Sequence, residues 1–126
     1  MKIKQLDHFV LTVSNIQTSV HFYTEILGMQ HITFADNRSA LTFGNQKINL
    51  HQYKNEFKPH AKKPTCGSAD LCFIVETPIE KIQQELFEKN VAIEEGPIKR
   101  SGSSGEIISV YIRDPDENLI ELSNVI

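Results

Sequence analysis

At 126 residues, the chain falls within the size of one compact domain, which excludes a multidomain machine or a long repeat array. Hydrophobic residues at 40% and charged residues at 23% supply enough apolar material for a core and too little charge for a disordered chain. Lys and Arg number 13 against 16 Asp and Glu, a net charge of −3, so no basic field draws nucleic acid or an anionic membrane.

From the N-terminus, Gln5, Asp7 and His8 interrupt any apolar run long enough for a signal-peptide core or a membrane span. A cytoplasmic location is the expectation. Leu6 to Val13 then alternates in polarity and reads as a strand. Ser14 followed by Gln17 has the form of a capping box. It opens a helix that carries Ile16, Val20, Tyr23 and Leu27 on one stripe, with Gly28 as its C-cap. Three extended runs follow, near Met29 to Ala35, Ser39 to Phe43 and Lys47 to Tyr53. Residues 54–67 read as a linker holding Lys54, Lys58, Lys62, Lys63 and Cys66. Cys66 and Cys72 are too few for a secreted disulfide scaffold and are expected as reduced thiols.

The order then repeats. Ala69 to Val75 alternates like the first strand, and Thr77, Pro78 and Glu80 form a second capping box. The helix that follows carries Ile79, Ile82, Leu86 and Phe87 and ends near Asn90. Extended runs are expected at Val91 to Glu95, Ile107 to Arg113 and Leu119 to Val125. Between them, residues 99–105 (Lys-Arg-Ser-Gly-Ser-Ser-Gly) read as a flexible glycine-rich loop, either a lid for an anionic substrate or a solvated hairpin. The chain is therefore a duplication of a βαβββ unit: module 1 over 1–53, a linker over 54–67 and module 2 over 68–126. An α+β fold follows, in which two tandem βαβββ modules form a cleft between mixed sheets and together make a single domain over 1–126.

Superposing the halves by pattern sets His8 opposite Asp70 and His51 opposite Glu121. Alternate residues of a strand face opposite ways. The apolar class (Phe9, Leu11 and Val13; Leu71, Phe73 and Val75; Ile48 and Leu50; Ile120 and Leu122) should meet the helices. His8, His51, Asp70 and Glu121 all fall on the other face. Two imidazoles and two carboxylates suit a divalent ion such as Ni, Zn, Mn or Fe with positions left open for substrate or water. His21, His31 and His60 lack such correspondence and are given no metal role. By the same alternation Ser109, Tyr111 and Arg113 share the cavity-facing class, with Tyr111 and Arg113 as substrate-binding candidates. Arg113 equally suits an anchor for the acidic turn through Asp114 or Asp116.

The segments DHFVLTV, VHFYTEILGM, INLH and YIRDPDENLIEL together resemble the vicinal oxygen chelate superfamily, which holds glyoxalase I, fosfomycin-resistance thiol transferases, extradiol dioxygenases and bleomycin-binding proteins. GSADLCFIV and EEGPIKRSGSSGEIISVYIRDPDENLIELS look most like the glyoxalase-domain-containing protein 5 subgroup. The resemblance implies that His8 is the first-strand metal histidine and Glu121 the last-strand metal glutamate. It puts His51 where glyoxalase I usually has glutamate or glutamine, and Asp70 where most members have histidine. Glu117 stands at the glycine of the family turn, so a positive φ there would fall on Glu117 or pass to Asn118.

The implied activity is that of a metal-dependent lyase or isomerase of lactoylglutathione-lyase type acting on α-oxoaldehyde–thiol adducts. In it Glu121 doubles as metal ligand and catalytic base, with glutathione or another thiol as co-substrate. The alternatives are a fosfomycin-type thiol transferase and a metal-free drug-binding protein. A dioxygenase would need histidine at Asp70. The expected assembly is a homodimer that completes the site with residues of both chains, taking a small-molecule substrate and neither nucleic acid nor membrane.

Overall fold

The computed structural model describes all of residues 1–126. Two compact units divide the chain, Met1–Cys66 and Gly67–Ile126. Each carries one four-stranded mixed sheet and a helical crossover, the α+β architecture that the duplicated pattern predicts.

In the first unit, β1 (Phe9–Val13), α1 (Ile16–His21), β2 (Gln30–Phe34), β3 (Arg38–Phe43) and β4 (Gln46–Gln52) form a sheet ordered β1-β4-β3-β2. β1 runs parallel to β4, and the other pairs are antiparallel. A parallel pair requires a crossover between its strands, and α1 packs against β4. The helix cap differs from expectation. Asn15 rather than Ser14 is the N-cap, its Oδ1 accepting from the Thr18 N–H at 2.9 Å, because Asn15 is the residue with extended backbone directly before the first turn. Beyond α1 the chain widens into a π-helical turn over Phe22–Ile26 and ends at Gly28, whose φ is +72°. Leu11, Val13, Leu41, Ile48 and Leu50 are buried with Tyr23 and Met29, as the alternation requires.

The second unit contains β5 (Asp70–Ile74), α2 (Ile79–Glu88), β6 (Glu95–Gly102), β7 (Gly105–Arg113) and β8 (Leu119–Val125), ordered β5-β8-β7-β6. Three expectations need correction. Pro78 rather than Thr77 caps α2, with no side-chain cap bond. Ile79, Ile82 and Leu86 are buried, but Phe87 is 82% exposed, since it lies one position past the stripe that Leu86 completes. The strand expected over Val91 to Glu95 begins only at Glu95, and the glycine-rich loop is not a lid. Lys99, Arg100, Ser101 and Gly102 are paired in β6, and Ser103 and Ser104 make a two-residue hairpin turn into β7, a length typical of antiparallel connections.

β6 also carries an irregularity between Glu95 and Ile98. Gly96 sits there at φ +103°, and a Cβ would lie 2.3 Å from the Ser109 carbonyl oxygen, so only glycine fits this approach. The acidic turn is built by Asp114, which is buried. Its Oδ1 accepts from the Asp116 and Asn118 N–H groups, and its Oδ2 accepts from the Asn118 amide. Asn118 Oδ1 in turn accepts from the Ala69 N–H at 2.8 Å, tying the turn to the entrance of β5. With Asn118 occupied in this way, Glu117 takes the left-handed conformation itself, at φ +69°.

Candidate functional site

Register decides which residues share a row. β1 sets Phe9 opposite Ile48, and β5 sets Leu71 opposite Ile120. Matching the halves on these pairs places Asn49 against Glu121 and His51 against Ser123. The superposition that paired His51 with Glu121 is therefore two residues out of step, a slip that preserves sidedness because strand side chains repeat every second residue. One further pair supports the corrected match. Gln52 Oε1 accepts from the Ile16 N–H, and its amide donates to the Ser14 carbonyl at 2.7 Å. At the equivalent position, the Asn124 amide donates to the Val75 and Thr77 carbonyls, both at 2.9 Å. Each half thus fastens its own strand-to-helix turn with one amide side chain.

On the first unit's sheet face away from the apolar class, Thr12 lies beside His51, and Phe34 lies beside Arg38. Arg38 Nη2 donates to His51 Nε2 at 3.3 Å. The guanidinium lies 4.5 Å from the centre of the Phe57 ring and 5.4 Å from that of Phe34. Phe57 meets the His51 ring edge-on at 5.7 Å. His51 is buried, and that burial, together with the Arg38 charge, pulls its pKa below the ordinary 6.5, so the ring is held neutral and accepts the Arg38 hydrogen. Asn49, two residues earlier on the same face, is buried with Oδ1 unpartnered. His8 stands one residue before β1 and is exposed. Its Nδ1 contacts Asp7 Oδ2 at 2.8 Å, an arrangement that fixes the ring and leaves Nε2 free.

The second unit's face carries a carboxylate instead. Cys72, Glu121, Tyr111 and Glu95 form one row across β5, β8, β7 and β6. Tyr111 and Cys72 flank Glu121 on either side as its register partners, on β7 and β5. Burial raises the Tyr111 phenol above its ordinary pKa, and the Glu121 carboxylate adds to the rise, so Tyr111 stays protonated. Arg100 Nε donates to the Tyr111 oxygen at 3.0 Å while its Nη2 pairs with Glu95 at 3.2 Å. In the next row the buried Ser109 and Ser123 hydroxyls share a 2.7 Å hydrogen bond, and Cys72 Sγ lies 3.4 Å from Ser123 Oγ. Asp70 opens β5 and is exposed.

Arg113 faces the same way but is already engaged. Nε and Nη2 pair with both oxygens of Glu94 at 3.1 and 2.9 Å, and Nη1 donates to the Glu117 carbonyl at 3.2 Å. Its anchor is thus Glu94 and the turn backbone, not Asp114 or Asp116. Glu94 is held below its ordinary pKa by these bonds.

No group of three or more His, Cys, Asp or Glu side chains is placed to hold a metal ion. The candidate ligands divide between the units, His8 and His51 in the first and Asp70 and Glu121 in the second. Arg38, Asn49 and Glu94 were not singled out from the sequence, and Arg100 only as a cation of the expected loop. Arg38 lies one residue outside the run expected from Ser39 to Phe43, and its contact with Phe57 is long-range, so neither was signalled by the sequence.

A family model described as the Glyoxalase/Bleomycin resistance protein/Dioxygenase superfamily matches residues 5–122. The chain is 56% identical over its whole length to Virulence protein STM3117 of Salmonella typhimurium, covering 88% of that protein. The crystal structure of that relative superposes with a TM-score of 0.98 over 100% of both chains. Glyoxalase domain-containing protein RDO1 of Mycosarcoma maydis is 48% identical over 98% of this chain and 70% of its own length. Metallothiol transferase FosB of Staphylococcus epidermidis is 30% identical over 97% of this chain and 82% of its own. The chain belongs to the glyoxalase/bleomycin resistance protein/dioxygenase superfamily.

Proposed function

We propose that the chain is a divalent-metal-dependent enzyme of glyoxalase type that isomerises α-oxoaldehyde–thiol adducts. The observation that carries this reading is the placement of the Glu121 carboxylate in one row between Cys72 and Tyr111, with Arg100 donating to the Tyr111 phenol. The donor chemistry fits a divalent ion. His8 presents a free Nε2 backed by Asp7, and Asp70 and Glu121 add two hard oxygen donors, a mixed set suited to Mn, Fe, Ni or Zn. His51 is the fourth candidate, but its Nε2 already accepts from Arg38, so it joins the set only by exchanging that bond. Because the ligands come from two units, a homodimer that brings one chain's first unit to its partner's second unit would complete the set.

When bound, the ion supplies stabilisation of negative charge on neighbouring substrate oxygens. Glu121 takes the proton from the thiol-bearing carbon and returns it to the adjacent former carbonyl carbon, while the hydroxyl proton on the thiol-bearing carbon passes to the neighbouring oxygen, so the adduct becomes a 2-hydroxy thioester with no net gain or loss of atoms. Tyr111, beside Glu121 in the row, meets the substrate, and Arg113 joins it only by exchanging a bond to Glu94 or the Glu117 carbonyl. Glutathione or another thiol is the co-substrate, and the cytoplasm, where such thiols are reduced, is the expected compartment. The similarity to FosB favours one second reading, thiol transfer to an epoxide at the same ion.

The test measures metal content and turnover of a methylglyoxal–glutathione adduct in the wild type, His8→Ala and Glu121→Gln. Expected are bound divalent metal in the wild type, its loss in His8→Ala, and partial metal with no turnover in Glu121→Gln. Turnover retained in Glu121→Gln overturns the role of Glu121. Consumption of an epoxide phosphonate, but not of the adduct, selects the second reading.

A further inference from the structure

We infer that Arg38, clamped between Phe34 and Phe57, is an oxyanion-binding residue that receives the carboxylate, phosphate or phosphonate head of a small organic ligand with an apolar body. The inference rests on the geometry of the first unit alone and not on the metal reading. The chain's other guanidiniums set the contrast. Arg100 pairs with Glu95, and Arg113 with Glu94. Arg38 pairs with no carboxylate, and its side-chain partners are an imidazole and two aromatic rings.

A guanidinium offers five N–H donors in a planar fork. His51 accepts from Nη2 at 3.3 Å, which leaves most of the fork free. Stacking on aromatic faces fixes the plane of the cation without neutralising it, so the orientation is prepared before any ligand arrives.

Two neighbours extend the site. Lys47 Nζ lies 3.7 Å over the Phe34 ring and likewise has no acidic partner, adding a second positive charge on the same ring. Asn49 supplies an unpartnered buried Oδ1 on the same face, a place for a ligand hydroxyl or amine. The nearby acid that acts on His51 is Glu56, whose Oε2 accepts from the Lys54 N–H at 2.8 Å. The face thus recognises an anion through Arg38 and Lys47, a ring or chain through Phe34 and Phe57, and a donor through Asn49.

Phenylphosphonate, an oxyanion on an apolar ring, is the probe. It is titrated at constant ionic strength in the presence of a chelator, so that failure of the metal reading does not affect the result. Side-chain NMR should show saturable shifts of the Arg38 Nε–H and the His51 ring, and Arg38→Gln should weaken binding by about tenfold. Lys47→Gln should weaken it by a smaller factor, which keeps the proposal testable if Arg38→Gln does not fold. Phenylphosphonate that leaves the Arg38 signal unmoved, or that binds Arg38→Gln as tightly as the wild type, overturns the assignment.

Discussion

The two halves share a strand order and a helical crossover, yet their site faces carry opposite chemistry. In the first, a buried neutral His51 supports an Arg38 cation between aromatic rings. In the second, a carboxylate at Glu121 stands between a phenol and a thiol in one row. The corrected register shows that these are not the same position. His51 corresponds to Ser123, and Glu121 corresponds to Asn49. Duplication supplied the frame, and His51 and Glu121 then stand two residues apart on equivalent strands. The faces consequently differ in charge, one presenting a guanidinium and the other a carboxylate.

The sharpest way to break the comparison is at the turn that only the second half possesses. Asp114 accepts three hydrogen bonds, and its removal strands buried donors of Asn118. Asp114→Ala should cost about 2–4 kcal/mol, read as a lower urea midpoint with an unchanged slope. A cost as small as that of an ordinary surface change would show that the turn does not hold β5 to β8.

A matched pair of substitutions then tests the equivalence. Gln52→Ala and Asn124→Ala each remove two bonds from a strand-to-helix turn, and each should cost about 1–2 kcal/mol. Gln52→Ala should also accelerate hydrogen exchange at the Ile16 amide, which loses its acceptor, whereas Asn124→Ala frees only carbonyls. Costs that differ by severalfold would argue that the two amides are not counterparts.

The smallest effect is electrostatic and belongs to the first half. The folded pKa of His51 lies below its ordinary value of 6.5, so between those two values the unfolded chain binds more protons than the folded one. The His51 contribution to stability is therefore complete above about pH 6.5 and declines as pH falls through the folded value. His51→Gln should flatten the pH dependence of the melting temperature in that window. Glu94 in the second half acts at lower pH, its contribution being complete above 4.5 and lost as pH falls through its depressed value.

Much of this was legible in the alternation of polar and apolar residues. That pattern marks β1, β4, β5 and β8, their buried sides and the sidedness of His51 and Glu121, because a strand facing a core cannot shift by one residue without exposing it. A shift by two conserves the pattern, which is why the register of His51 was misjudged. Helix caps depend on which residue takes extended φ and ψ, so Asn15 and Ser14 were interchangeable on paper. Residues 99–102 look flexible by composition but are held by backbone pairing with β7, a long-range fact that composition does not encode. The partners of Arg38 and Arg113 also come from distant segments, Phe57 and Glu94, and only the folded chain brings them together.

The paired amides at Gln52 and Asn124 have a broader consequence. Because each half keeps its own fastening at the back of its sheet, the residues in front are released from that structural duty. Substitutions at Asn49, His51, Glu121 or Ser123 can then accumulate without unseating the adjoining helix. A repeat so built separates heritable architecture from changeable chemistry, and one ancestral module could give rise to two dissimilar binding surfaces in a single gene.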